Sequence, residues 1–211
     1  MDKKLAAAKQ AVQEIKPDLV VGIGTGSTVN CLIDLLPLVD TPKYFVSSSE
    51  ATTDRLKALG FEVRSLNEAG RLDVYIDGAD QVLSSKVALK GGGGAHTLEK
   101  LLAVNANTFV GMISDDKLVT SFDFPLVVEV LEEAQAAVSR TLVGMGASPM
   151  LRQGYTDLGN KILDVVGLDL KDPESLESAL IQICGVVEVG LFAKRRFDKI
   201  YIASQETVQL L

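Results

Sequence analysis

The chain has two cysteines, Cys31 and Cys184, and one histidine, His96, among its 211 residues. The cysteines lie far apart, and neither has a second cysteine or a histidine at metal-ligand spacing, so no disulfide framework or zinc ribbon is expected to organise the fold. They read as buried thiols of a reducing compartment. Basic runs are missing as well. With 21 Lys and Arg against 28 Asp and Glu the formal charge is −7, and the phosphate-neutralising footprint of a nucleic-acid binder is absent. No apolar window reaches the length of a membrane span. The N-terminal MDKKLAAAKQAVQEIKPD also lacks the apolar stretch and small-residue cleavage site of a secretory signal. Low-complexity blocks and self-similar repeats are absent too. These absences predict a folded cytoplasmic protein with neither nucleic acid nor a membrane as partner.

Hydrophobic residues make up 47% of the chain, enough for one large domain or an ordinary domain carrying a smaller one. Glycine is concentrated in short stretches. The most unusual is LKGGGGAHTLEK, residues 89–100, with four consecutive glycines. Each glycine loses more backbone entropy on folding than any other residue, so such a run implies close approach or unusual dihedrals. A flexible linker fits poorly, because apolar strand-like residues precede the run and an amphipathic helix follows it.

Leu5, Ala8, Val12 and Ile15 recur at helical spacing, and Pro17 closes the pattern. LVVGIG then reads as a buried strand entering a glycine turn, with a helical face over VNCLIDLLPL. KYFVSSSE is read as a strand, ATTDRLKAL as a helix ended by Gly60, FEVRSL and LDVYIDGAD as strands, HTLEKLLAVNA as a helix and TFVGMIS as a strand. This alternation predicts an α/β fold with a Rossmann-like parallel sheet. Beyond it, FPLVVEVL, AQAAVSRTLVGMG, KILDVVGLDL, DPESLESALIQI and GVVEVGLF read as strand, helix, strand, helix, strand. That order suggests a smaller α+β, ferredoxin-like subdomain. The expected division is a Rossmann-like domain over 1–123, completed by 199–211, and a small subdomain over 124–198.

Four stretches carry polar groups at ends of these elements. GIGTGST, residues 22–28, is a glycine turn between strand and helix. It suits a phosphate, because backbone N–H groups and the helix dipole face the ligand and Thr25, Ser27 and Thr28 add hydroxyls. Equally, it is a tight turn capped by Ser27 or Thr28. As a dinucleotide motif it is weak, since Ser27 replaces the third glycine. VYIDGADQV puts Asp77 and Asp80 where an apolar strand stops, a usual ligand crevice in open α/β sheets, although Asp-Gly also makes plain turns. SSSEATT reads as helix capping, with possible ligand lining. In the glycine run, Lys90 can stabilise an oxyanion and Glu99 can act as a base, while Glu99 and Lys100 can equally be solvated helix charges. His96 is as readily a helix-entry residue as a catalyst.

In this order GIGTGST, SSSEATT, YIDGAD, KGGGG followed by TLEK, SDDK, VEV, RQG and GVVEVGLF resemble ribose-5-phosphate isomerase of the A type, over nearly the whole chain. The resemblance implies an aldose-ketose isomerase of the non-oxidative pentose phosphate pathway that needs no metal or organic cofactor. It also implies a homodimer or homotetramer. By the family pattern Glu99 is the base that moves a proton between C2 and C1 of ribose 5-phosphate through an enediolate. Asp77 and Asp80 handle sugar hydroxyls, and Lys90 stabilises the enediolate oxygen. The family's substrate-binding segments fall on Thr25, Gly26, Ser27 and Thr28, on Asp77, Gly78, Ala79 and Asp80, on Lys90, Gly91, Gly92 and Gly93, and on Lys117. Three features depart from the pattern: Gln81 in place of glutamate, Gly94 with His96 in the loop, and PLVVEV in place of PLPVEV. Competing readings are a sugar-phosphate-binding regulator or a coenzyme A transferase on a similar sheet, and a nicotinamide-dependent oxidoreductase resting on the imperfect glycine turn.

Overall fold

The computed structural model describes residues 2–40 and 42–211. Helix α1 (Lys3–Ala11) is capped by Asp2, whose side chain accepts from the Lys4 and Leu5 amides. Strand β1 (Val20–Ile23) runs through the glycine turn into α2 (Ser27–Leu35), which buries Val29, Leu32 and Ile33 as one apolar stripe. Strand β2 (Tyr44–Ser47) leads to α3 (Glu50–Ala58), which has Ser49 as N-cap and Glu50 in its first turn. A short α4 (Leu66–Ala69) precedes β3 (Leu72–Asp77). Short strands β4 (Gln81–Leu83) and β5 (Ala88–Leu89) then lead into the glycine run and α5 (His96–Val104). Next come β6 (Ala106–Ser114), β7 (Leu118–Val119), β8 (Leu126–Val130), α6 (Gln135–Gly144), β9 (Ser148–Leu151) and β10 (Lys161–Val166). Helix α7 (Pro173–Ile181) is followed by β11 (Val186–Val189), β12 (Leu191–Phe192), β13 (Lys199–Ala203) and β14 (Val208–Leu210).

The main sheet has six strands in the order β14-β13-β6-β3-β1-β2, with only β14 antiparallel. The strand order switches side at β1, with β2 on one flank and β3 on the other, and the register sets Ile23 beside both Ser47 and Ile76. The carboxyl ends of three strands therefore meet at a topological switch point, the crevice that such sheets offer to ligands. One face of the sheet packs on α1 and α2 through Val21, Ile23, Leu32, Ile33 and Ile76. The other buries Tyr75, Phe109, Phe192 and Phe197 with Leu102 of α5. Tyr75 stacks on Phe109 with ring centroids 5.1 Å apart, and Phe109 on Phe197 at 4.0 Å.

A second, antiparallel sheet runs β11-β8-β10-β9, with α6 and α7 contributing Val138, Leu142 and Leu180 to its core. Its order along the chain is strand, helix, two strands, helix, strand, the ferredoxin-like arrangement. The fold is thus the expected α/β sheet with a smaller α+β unit. Strand β9 escapes sequence reading because Pro149 breaks its β pattern at a sheet edge. A small third sheet, β12-β5-β4-β7, joins the two larger ones beneath the glycine run.

Two local expectations are corrected. FEVRSL is not a sheet strand. Only Val63 bridges Phe45, and Ser65 with Glu68 forms a capping box that turns the chain into α4. The cysteines are not buried thiols, since Cys31 is half-buried and Cys184 exposed. Cys31 of α2 is only partly covered where it packs against the core, and Cys184 falls in the turn after α7.

Candidate active site

At the switch point the β1–α2 turn wraps tightly over the end of β3. Gly24 must be glycine there, because a Cβ would stand 1.9 Å from Asp77 Oδ1. Gly26 has φ +109°, a conformation that side chains rarely adopt, and it is the N-cap of α2 without any side-chain cap. The expectation that Ser27 or Thr28 caps this turn is therefore not met, and the helix N-terminus is left open to the crevice. Lys4 of α1 reaches it, with Nζ 2.9 Å from Ser27 Oγ. The SSSEATT stretch supports the turn from behind: Thr52 Oγ1 donates to the Gly24 carbonyl at 2.8 Å and Ser49 Oγ to Thr25 Oγ1 at 3.0 Å. It does not line the pocket.

The pocket at this point has a volume of about 320 Å³. Of the sequence-selected residues it gathers Thr25, Gly26, Ser27, Thr28, Gly78, Ala79, Asp80, Lys90, Gly91, Gly92, Gly93, Glu99 and Lys117 along its walls, with Lys4 added. Nothing in the local sequence marks Lys4, because it sits on the polar side of an ordinary amphipathic helix. Only the packing of α1 beside α2 brings it to the turn.

Asp77 is the one selected residue outside the lining. It is fully buried, and its carboxylate already receives the Tyr75 hydroxyl at 2.5 Å, the Gly78 amide at 2.7 Å, Lys90 Nζ at 2.9 Å and the Thr25 amide at 3.2 Å. These four donors hold the Asp77 carboxylate against Lys90, behind the pocket wall. Asp80 is different. It lines the pocket, and its Oδ2 accepts the Gly92 amide at 2.8 Å.

Lys90 and Glu99 form the buried centre of the site. Lys90 is 3% exposed and Glu99 5%. Lys90 Nζ donates to Asp77 and, at 2.5 Å, to the Gly78 carbonyl, and stands 3.3 Å from Glu99 Oε2. Burial alone would lower the lysine's pKa, but Asp77 and then Glu99 hold it above the ordinary value. For Glu99 the balance is reversed: burial raises its carboxyl well above the carboxylate range, and Lys90 only partly opposes this. The pair thus keeps a fixed cation beside a carboxyl that is readily protonated. Glu99 Oε2 is buried against the Lys90 ammonium as an ion pair, without a partner in hydrogen-bond geometry among the described residues, and the Glu99 side chain lines the pocket.

His96 lies under the glycine run, fully buried, with neither ring nitrogen in hydrogen-bond geometry. Burial, then the charge of Lys100, lowers its pKa to about 3, and the nearby Glu188 backbone opposes this only in part. It is a neutral packing group outside the pocket lining. Gln81 is also structural: its side chain bonds Asp123 and accepts the Asp123 and Phe124 amides. Among the described residues no group of three or more His, Cys, Asp or Glu side chains is placed to hold a metal ion. None of their helices is long and apolar enough to cross a membrane.

Comparison with known proteins agrees with this geometry. The profile of the ribose 5-phosphate isomerase A (phosphoriboisomerase A) family matches residues 44–207. The chain is 42% identical to ribose-5-phosphate isomerase A of Haemophilus ducreyi, covering 100% of this chain and 98% of that one. Its fold superposes on the crystal structure of ribose 5-phosphate isomerase A from Neisseria gonorrhoeae with a TM-score of 0.95 at 40% identity, over 99% and 95% of the two chains. A D-ribose-5-phosphate isomerase in complex with phospho-erythronic acid gives a TM-score of 0.95 at 32% identity, over 100% and 97%. With an open glycine turn, a buried lysine and its carboxyl partner joined in one crevice, and relatives matching end to end, the chain belongs to the ribose 5-phosphate isomerase A family.

Proposed function

We propose that the chain interconverts D-ribose 5-phosphate and D-ribulose 5-phosphate by proton transfer through an enediolate. The observation that carries this is the buried Glu99 carboxyl, raised above the ordinary carboxylate range, ion-paired with Lys90 at 3.3 Å on the wall of one pocket. In the open-chain sugar Glu99 takes the proton from C2 and returns it to C1, while the hydroxyl proton passes from O2 to O1. The proton α to a carbonyl is weakly acidic, so the oxygen charge that develops must be met as it forms; one positioned donor contributes about 3 kcal/mol. Lys90 is assigned that task. Asp77 is assigned the task of aiming Lys90, which its four donors and complete burial support. Asp80 is assigned the sugar hydroxyls and assistance in ring opening.

The phosphate is assigned to the open N-terminus of α2, where the amides and hydroxyls of Ser27 and Thr28 meet the charges of Lys4 and Lys117. The backbone of Gly91, Gly92 and Gly93 forms the wall along the sugar. The phospho-erythronic acid bound by one relative is consistent with this layout, since a planar carboxylate resembles the planar enediolate. The chain is further proposed to act in the cytoplasm as a homodimer or homotetramer, with units over 1–123 plus 199–211 and over 124–198. Exposed Met150 and Leu151 on edge strand β9 support a contact between copies. The test of the activity is conversion of ribose 5-phosphate by purified protein in the presence of EDTA. No conversion contradicts the assignment.

A further inference from the structure

Among the described residues one side chain donates to the carbonyls of the glycine run. Arg152, in the RQG stretch after β9, places Nη1 2.9 Å from the Gly91 carbonyl oxygen and 3.2 Å from that of Gly92. Its remaining nitrogens grip Asp164 of β10, with Nε 2.9 Å from Oδ2 and Nη2 bonded to Oδ1. A trans peptide is planar, with its C=O and N–H pointing in opposite directions. Drawing the Gly91 carbonyl toward Arg152 therefore turns the Gly92 N–H the other way, where it donates to Asp80 Oδ2 at 2.8 Å. The next peptide is held likewise by its Gly92 carbonyl, which turns the Gly93 N–H away from Arg152. Gly92, Gly93 and Asp80 all line the pocket.

We propose that Arg152, oriented by Asp164, is a positioning residue for the isomerisation. It sets the Gly91–Gly92 and Gly92–Gly93 peptide planes, and through the Gly92 N–H it fixes the Asp80 carboxylate toward the sugar. The proposal rests on the reading of this pocket as the isomerase site. The planar fork of arginine matters, because four acceptor atoms on two sides must be met at once. A lysine ammonium has neither the number of donors nor their fixed spacing. Both side chains are about a quarter exposed, at 26% and 22%, so a small cation can enter from solvent once the arginine is gone.

The experiment measures kcat and KM for ribose 5-phosphate, with thermal unfolding alongside, for the wild type, Arg152→Ala, Arg152→Lys, Asp164→Asn and the Arg152→Ala/Asp164→Asn double variant. Each is assayed with and without guanidinium at a few tens of millimolar, far below denaturing concentrations. In Arg152→Ala, kcat is expected to fall on the order of 10²-fold, as for a small misplacement of reacting groups, with a smaller change in KM and partial recovery on adding guanidinium. Arg152→Lys should remain impaired, Asp164→Asn should lose rate in the same sense, and the double variant should be no slower than Arg152→Ala. An Arg152→Ala enzyme with kcat within about twofold of wild type overturns the proposal. So does a loss of rate that guanidinium does not relieve. If Arg152→Ala does not fold, Asp164→Asn keeps the arginine but frees its fork, and an unchanged kcat there overturns the proposal equally. A wild-type protein inactive on ribose 5-phosphate would instead overturn the isomerase reading, and the proposal with it.

Discussion

Glu99 is a carboxyl that burial pushes upward and Lys90 only partly steadies. Because its folded pKa lies above its unfolded one, the folded state holds a proton that the unfolded state has already released. Stability is therefore lost as pH rises from the ordinary carboxylate range to the raised value. Glu99→Gln removes that loss. The variant should unfold at a higher temperature than wild type, by a margin that widens across this pH window, while turnover falls by about 10²-fold to 10⁴-fold. The wild-type rate should rise with pH through the same window, since only the carboxylate accepts a proton, and Lys90, raised by Asp77 and Glu99, stays charged throughout. His96 is the contrasting residue. Its two nitrogens are buried without a partner in hydrogen-bond geometry among the described residues, Nε2 lying 3.9 Å from the Glu129 carboxylate, so His96→Leu should leave turnover within a few-fold of wild type and raise stability by about 1 kcal/mol in denaturant unfolding. Lys90 and Asp80 were candidates because each abuts a strand end or glycine turn, whereas Glu99, on a helix where a solvated charge was an equal reading, was singled out by the family resemblance. The sequence could not separate Asp77 from Asp80, because that difference lies in Tyr75, Thr25 and Lys90 closing around one carboxylate and not the other.

The β1–α2 turn offers a test at the level of an element, because its two glycines are there for different reasons. At Gly26 a Cβ meets nothing within 4 Å, and only the φ of +109° is unfavourable. Gly26→Ala should strain the open helix terminus by about 1–3 kcal/mol and appear chiefly as a raised KM for ribose 5-phosphate. At Gly24 the Cβ would strike Asp77, and displacing Asp77 releases Lys90. Gly24→Ala should therefore lose kcat more than KM, and steady-state kinetics separate the two cases. This turn, α3 and α5 were legible because their signals are local: glycine between strand and helix, Ser49 before Glu50, an apolar stripe after a glycine run. The β4–β5 hairpin and β9 were not: β4 and β5 are only three and two residues long, and Pro149 interrupts the pattern of β9. Lys4 and Arg152 were missed as site-shaping groups for another reason: each arrives from an element far away in sequence, and although RQG belongs to the family pattern, neither residue stands by a strand end or glycine turn that marks it for the site.

Across the whole molecule the small antiparallel sheet and the main sheet are tied through α5. Lys100 is buried and donates to Glu177 and Glu188 at 2.9 Å each, and to the carbonyls of Val189 and Leu191 at 2.7 and 2.8 Å. Glu177 also accepts the Ala193 and Lys194 amides. Lys100→Met leaves these buried acceptors without their cation and should destabilise the protein by about 3–5 kcal/mol in denaturant unfolding. A loss below about 1 kcal/mol would mean the tie is dispensable. The same connection lets the small sheet shape the glycine wall, since α5 begins where that wall ends. This scaffold sets the buried Glu99 carboxyl beside Lys90, placed for proton transfer on a pentose phosphate. The most direct test of this central claim is the kcat for conversion of ribose 5-phosphate to ribulose 5-phosphate, measured with chelator present on wild type and on folded Glu99→Gln. The account predicts a working wild-type enzyme and a variant slower by at least about 10²-fold. An inactive wild type, or a Glu99→Gln enzyme that turns over at a comparable rate, would contradict it.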